Sequence, residues 1–105
     1  MREYGVSRPT YRVATTDAAV GLAADIITDA TLGPIDRVVI TCETANVRVA
    51  IGTPTQGAAG LGKLLYPGDV LTVPGNSDCR ALRWISAANG VPGALQITPR
   101  YDRGG

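Results

Sequence analysis

Gly57-Ala58-Ala59-Gly60-Leu61-Gly62-Lys63 fits the spacing G-x-x-x-x-G-K. Such a loop can wrap its amides around phosphates and aim a lysine at them. Two parts of that device are missing. A serine or threonine must follow the lysine to hold magnesium, and Leu64 stands there. The loop must also open a helix, and Pro67-Gly68 breaks the chain within a turn. The stretch reads as a flexible inter-strand loop, and no nucleotide cofactor is expected.

Other chemistries fail for want of partners. The 105 residues contain no histidine, which removes the commonest general base and the commonest metal ligand. Serines and threonines are scattered with no imidazole to activate them. Cys42 would lack a base as a nucleophile, and Cys42 with Cys79 does not make a zinc site. Asp25 and Asp29, near Asp17 and Asp36, lack the order of a calcium loop and read as turn residues. The only glutamates are Glu3, near the N-terminus, and Glu43, on the outer side of a strand, which do not suggest a glycosidase pair. The reading is a non-enzyme without catalytic residue, metal or cofactor.

The totals narrow the partners. A net charge of +1 gives no concentrated basic face for nucleic acid or an anionic membrane. No apolar run approaches the ~20 residues that span a bilayer. The first residues, with Arg2, Glu3 and Arg8, have no apolar core of a secretory leader, so a disulfide is disfavoured. Thirteen glycines and seven prolines fit a turn-rich fold. With no phenylalanine and Trp84 as the sole tryptophan, the core must rest on Val, Ile, Leu and Ala, which suits thin sheet-on-sheet packing.

The elements that position these residues follow from period-two patterning. Val47, Val49 and Ile51 alternate with Asn46, Arg48 and Ala50, as in a half-buried strand stopped by Gly52 and Pro54. Val38, Ile40 and Cys42 share the phase of a strand over Arg37–Glu43, with Asn46–Ile51 as its hairpin partner. Further strands are expected at Tyr11–Ala14, Ile26–Thr28, Lys63–Tyr66, Val70–Val73, Arg80–Ala87 and Ala94–Arg100. In the last, Leu95 and Ile97 point inward. Gly33-Pro34, Pro67-Gly68-Asp69 and Pro74–Asp78 are turns, the last holding Cys79 at its end, and Asn89-Gly90 signals a hairpin. Asp17 could cap a short helix over Ala18–Ala24, weakened by Gly21. The expected fold is all-β: one antiparallel β-sandwich, jelly-roll-like, of seven or eight short strands. Residues 1–10 read as a flexible arm, 11–101 as the sandwich and 102–105 as a frayed tail.

Trp84 shares a face with Leu82 and reads as core, while Arg48, Arg80 and Arg83 read as a solvated outer face. Tyr66 and Tyr101 suit an oligomer contact.

The stretch Asn46–Tyr101 resembles small virion proteins of tailed bacteriophages. The likeness lies in the VRVAIG strand, in Tyr66-Pro67-Gly68-Asp69 opening Val70-Leu71-Thr72-Val73, in Leu82-Arg83-Trp84-Ile85, and in Leu95-Gln96-Ile97-Thr98 before Tyr101. These are commonly β-sandwich decoration or cement proteins on the outer capsid, present as dimers or trimers. The resemblance implies a virion component that binds the major capsid protein and stabilises the head. The arm and the loop Gly52–Gly62 would order on that contact. Contact candidates are Arg2, Tyr4, Arg8, Tyr11, Arg48, Tyr66, Arg83 and Tyr101. Alternatives are a tail or head-fibre component, or a carbohydrate-binding sandwich that stacks sugar on Trp84 and a tyrosine.

Overall fold

Strands with a period of two do dominate this chain, and they alternate between two sheets. The computed structural model describes residues 5–102. Its strands are β1 (Gly5–Ser7), β2 (Tyr11–Ala14), β3 (Val20–Gly21), β4 (Thr28–Asp29), β5 (Gly33–Thr44), β6 (Val47–Ile51), β7 (Lys63–Leu65), β8 (Val70–Pro74), β9 (Leu82–Ser86) and β10 (Ala94–Asp102). Two short helices interrupt them, α1 (Ala24–Ile27) and α2 (Asn76–Ala81).

One sheet runs β2–β10–β5–β8; β1 continues the line of β2 along β10, and β4 lies against the start of β5. The other runs β3–β9–β6–β7. Every pairing is antiparallel. Leaving out β1 and β4, only β6 and β7 are consecutive neighbours in one sheet; each other connection crosses to the opposite sheet. That is the wiring of a jelly roll, two four-stranded layers around one core.

This wiring corrects two expected hairpins. β6 cannot pair with β5, because β10 and β8 already occupy both edges of β5. Ala45, at φ 54°, turns the chain into the other sheet instead. Asn89-Gly90 likewise joins β9 to β10 across the layers, since β3 and β6 flank β9.

The core face of β10 carries Leu95, Ile97, Pro99 and Tyr101 opposite Cys42, Ile40, Val38 and Ile35 of β5. Ile35 and Val38 are out of phase by one residue, yet both are buried. The register shift between Arg100 and Tyr101 resolves this: β5 carries an extra residue, Asp36, as a bulge. Val47 and Val49 of β6, Leu65 of β7 and Leu82 and Trp84 of β9 close the core from the other sheet. Burying each such large aliphatic side chain contributes about 1.5–3 kcal/mol.

Five local expectations change. Val20–Gly21 is a strand rather than part of a helix, and Ile26 lies in α1, not in a strand. Gly33-Pro34 opens β5 in place of a turn, with Gly33 at φ 88°. Cys79 is fully buried in α2 instead of lying in a polar turn. Its N–H bonds Gly75 O at 3.1 Å, and Asn76 Nδ2 donates to Ile35 O at 2.9 Å, fixing the helix against β5. Gly5–Ser7, inside the expected arm, pairs with Arg100–Asp102 as β1, so Asp102 belongs to β10. The remainder of the arm's start and of the tail, residues 1–4 and 103–105, lies outside the described residues.

Candidate functional site

Arg48 stands between two core valines, so its side chain leaves on the outer face of the second sheet. It is nonetheless buried, with 9% exposure. The loop Gly52–Gly62 folds over it. Nη1 donates to Gly62 O at 3.0 Å and Nη2 to Gly57 O at 3.1 Å. The loop is also tied by Gly57 N–H to Ala87 O at 2.9 Å and by Leu61 N–H to Thr55 Oγ1 at 2.7 Å. Gly60 makes the cover possible: a Cβ there would stand 2.2 Å from Thr55 O and 2.7 Å from Arg48 Nε.

The G-x-x-x-x-G-K stretch therefore holds a cation, with its carbonyl oxygens turned inward, whereas a phosphate cradle turns its amides inward. The expectation of a solvated Arg48 is corrected, because carbonyl dipoles replace its water. The loop expected to be free is hydrogen-bonded to the body of the molecule.

The other proposed contact residues divide by burial. Arg2 and Tyr4 lie outside the described residues. Tyr101 is fully buried and unfit for a surface contact. Its hydroxyl donates to Ile26 O, anchoring α1, and burial pushes its pKa up against the opposing effect of Arg8. Arg8 is half-buried; Nη1 donates to Asp25 O at 3.1 Å and lies 3.4 Å from Asp29 Oδ2. Tyr11 is half-buried, and burial raises its pKa too. Arg83 and Tyr66 are exposed, Tyr66 at 55%.

The aspartates serve turns. Asp29 Oδ1 accepts the N–H groups of Thr31 and Leu32, both at 2.8 Å, which hold its carboxyl below the usual range. Asp17 accepts from Gly90 N–H and Gln56 Nε2 at 2.9 Å, with the same direction of shift. Both cysteines are free and buried; burial pushes the Cys79 thiol up to about 11 and raises that of Cys42. A thiol shifted in this direction is a poor nucleophile. Trp84 is 3% exposed and offers no ring for stacking a sugar.

A surface feature of which residue type signals only Tyr66 lies where β7 and β8 end the two sheets. Leu61, Tyr66 and Val70 are 64%, 55% and 61% exposed there, and Ile51 at the end of β6 is 53% exposed. Between β6, β7 and β8 runs a groove of about 260 Å³ lined by Val49, Ile51, Lys63, Leu71 and Pro74. Ile51 continues the buried phase of Val47 and Val49 but passes beyond the cover of the opposite sheet. For Val70 the signal was present: with Leu71 and Val73 turned inward, period two puts Val70 and Thr72 outside.

No protein-family model, curated protein or solved structure matches the chain.

Proposed function

We propose that this chain is a non-enzymatic structural protein of a tailed-bacteriophage virion: a homo-oligomeric decoration protein that binds the major capsid protein and stabilises the head. The observation that carries the reading is the set of exposed apolar side chains on the β7–β8 side of a small sandwich, Tyr66 and Val70 at one end of it and Ile51 and Leu61 toward the other. Apolar side chains left in water on one side of a fold suit a protein-protein contact. The jelly-roll wiring supports it by analogy, since viral capsid domains use this architecture, as do lectins. The lectin-like alternative gains nothing from Trp84, which lies in the core.

The test is co-sedimentation with expanded, undecorated heads of the phage that encodes the protein. The reading expects saturable binding at a fixed number of copies per capsid subunit and heads that withstand higher temperature once decorated. Protein left in the supernatant at saturation would overturn it. Recovery with purified tails instead would move the protein to the tail or a head fibre.

A further inference from the structure

β8 has a single strand partner, β5, among the described residues. The direction of its backbone groups is fixed at both ends. Asp69 O accepts from Cys42 N–H at 2.9 Å, and Gly75 N–H donates to Asp36 O at 2.7 Å. Residues 69, 71, 73 and 75 therefore turn their N–H and C=O groups toward β5. Residues 70, 72 and 74 turn theirs away from the sheet, because the groups alternate along an antiparallel strand. Val70 and Thr72 thus present free donors and acceptors on an open edge, whereas Pro74 presents only a carbonyl. Natural sheets guard such edges with short strands, prolines and lysines. Here Pro74 ends the edge and Lys63 lines the same groove as Leu71, Thr72, Pro74 and Asp78, while Val70 lies outside it.

We propose that a second copy of this chain pairs antiparallel with β8 about a two-fold axis at Leu71, joining the β2–β10–β5–β8 sheets of the two copies into one. In that register Val70 of each copy exchanges N–H···O bonds with Thr72 of the other, and Pro74 falls beyond the paired stretch. The charges favour a copy of the chain itself as the occupant. Lys63, which has no ion pair among the described residues, lies with Asp78 in the groove that reaches Pro74 and omits Val70, and Asp69 precedes Val70 at the other end. A two-fold axis brings each lysine end against the partner's aspartate end, the self-complementarity that a symmetric contact requires. Exposed Tyr66 and Val70 flank the seam and lose water there. The inference rests on the homo-oligomer part of the reading above and is independent of its capsid part.

Sedimentation equilibrium on the full chain tests it, with Thr72→Pro and Lys63→Glu as variants. The expected result is a dimer. Thr72→Pro, which removes a free edge donor, weakens it by about tenfold or more, the scale of one lost hydrogen-bond pair. Lys63→Glu lies on the exposed start of β7, leaves the fold intact and weakens the dimer through charge, by an amount that shrinks as salt rises. A wild-type chain that stays monomeric at millimolar concentration overturns the proposal. So does a trimer, or a dimer that Lys63→Glu leaves unchanged. A dimer that ignores heads keeps this inference and removes the capsid reading; a monomer that pellets with heads does the reverse.

Discussion

Where β2 and β3 end the two sheets, the chain is tied by polar contacts between residues far apart in sequence. Arg8 reaches Asp25 and Asp29, Thr10 shares a 2.6 Å hydrogen bond with Thr98, and Arg12 pairs with Glu43 at 3.0 Å. Thr15 shares a buried hydrogen bond of 2.8 Å with Ser86 and accepts Gly93 N–H. Tyr101 closes the set by holding α1. Where β7 and β8 end the sheets, apolar side chains stand uncovered and the backbone of β8 has a free edge. The first side uses its polar side chains in folding the monomer, although β2 and β3 are also sheet edges and Val20 of β3 is 45% exposed. The second keeps its contacts in reserve for another molecule.

Substitutions can break this contrast. The largest effect is expected on the tied side. Tyr101→Ala empties a fully buried site and releases α1, at about 3–5 kcal/mol in urea unfolding. Tyr101→Phe, which removes the hydroxyl's bond to Ile26 O and its interaction with Arg8 but keeps the ring, should cost about 1–2 kcal/mol. A cost for Tyr101→Phe equal to that of Tyr101→Ala would mean that packing plays no part there. Next comes Arg48→Met. It removes the donors that hold the loop Gly52–Gly62, at about 2 kcal/mol, and should expose the loop to limited proteolysis while β7 and β8 stay intact. A loop equally resistant in this variant would show that its own turns suffice.

Acid gives a smaller effect. Asp29 and Asp17 have carboxyls held below the ordinary value by backbone and side-chain donors. Their stabilisation is fully present above the unfolded value of about 3.9 and is lost as pH falls through the lowered folded value. The double variant Asp17→Asn and Asp29→Asn should therefore flatten the fall of the urea midpoint below about pH 4 and leave the midpoint's shape above about pH 5 unaltered. An unchanged acid limb would place that sensitivity elsewhere.

The contrast also explains what the sequence made legible. The strands of the second half were readable because β5, β6, β8 and β10 each bury one face, and a half-buried strand writes period two into its residues. The N-terminal third was obscure for a physical reason. β3 and β4 are two residues each, too short to display a period, and their positions depend on contacts such as Arg8 to Asp29 and Tyr101 to Ile26 that no local window contains. The hairpin readings failed because turn signals report a change of direction, not which sheet the chain enters next. Arg48 failed for a related reason: alternation placed its side chain outside the sheet correctly, but not the loop that returns to cover it. Cys79 was misplaced because its helix has too few residues for a helical period to show. At the candidate contact, Tyr66 was legible by type and Val70 by period; Ile51, in the buried phase of its strand, needed the three-dimensional structure.

Amide hydrogen exchange at Val70 and Thr72 tests the edge most directly. The account predicts that in dilute protein both exchange as open amides, while those of Leu71 and Val73, directed to β5, are protected. As concentration rises and the mass doubles, Val70 and Thr72 should become protected in step. A dimer in which these two amides remain open, and protection grows along β2 or β3 instead, would contradict it.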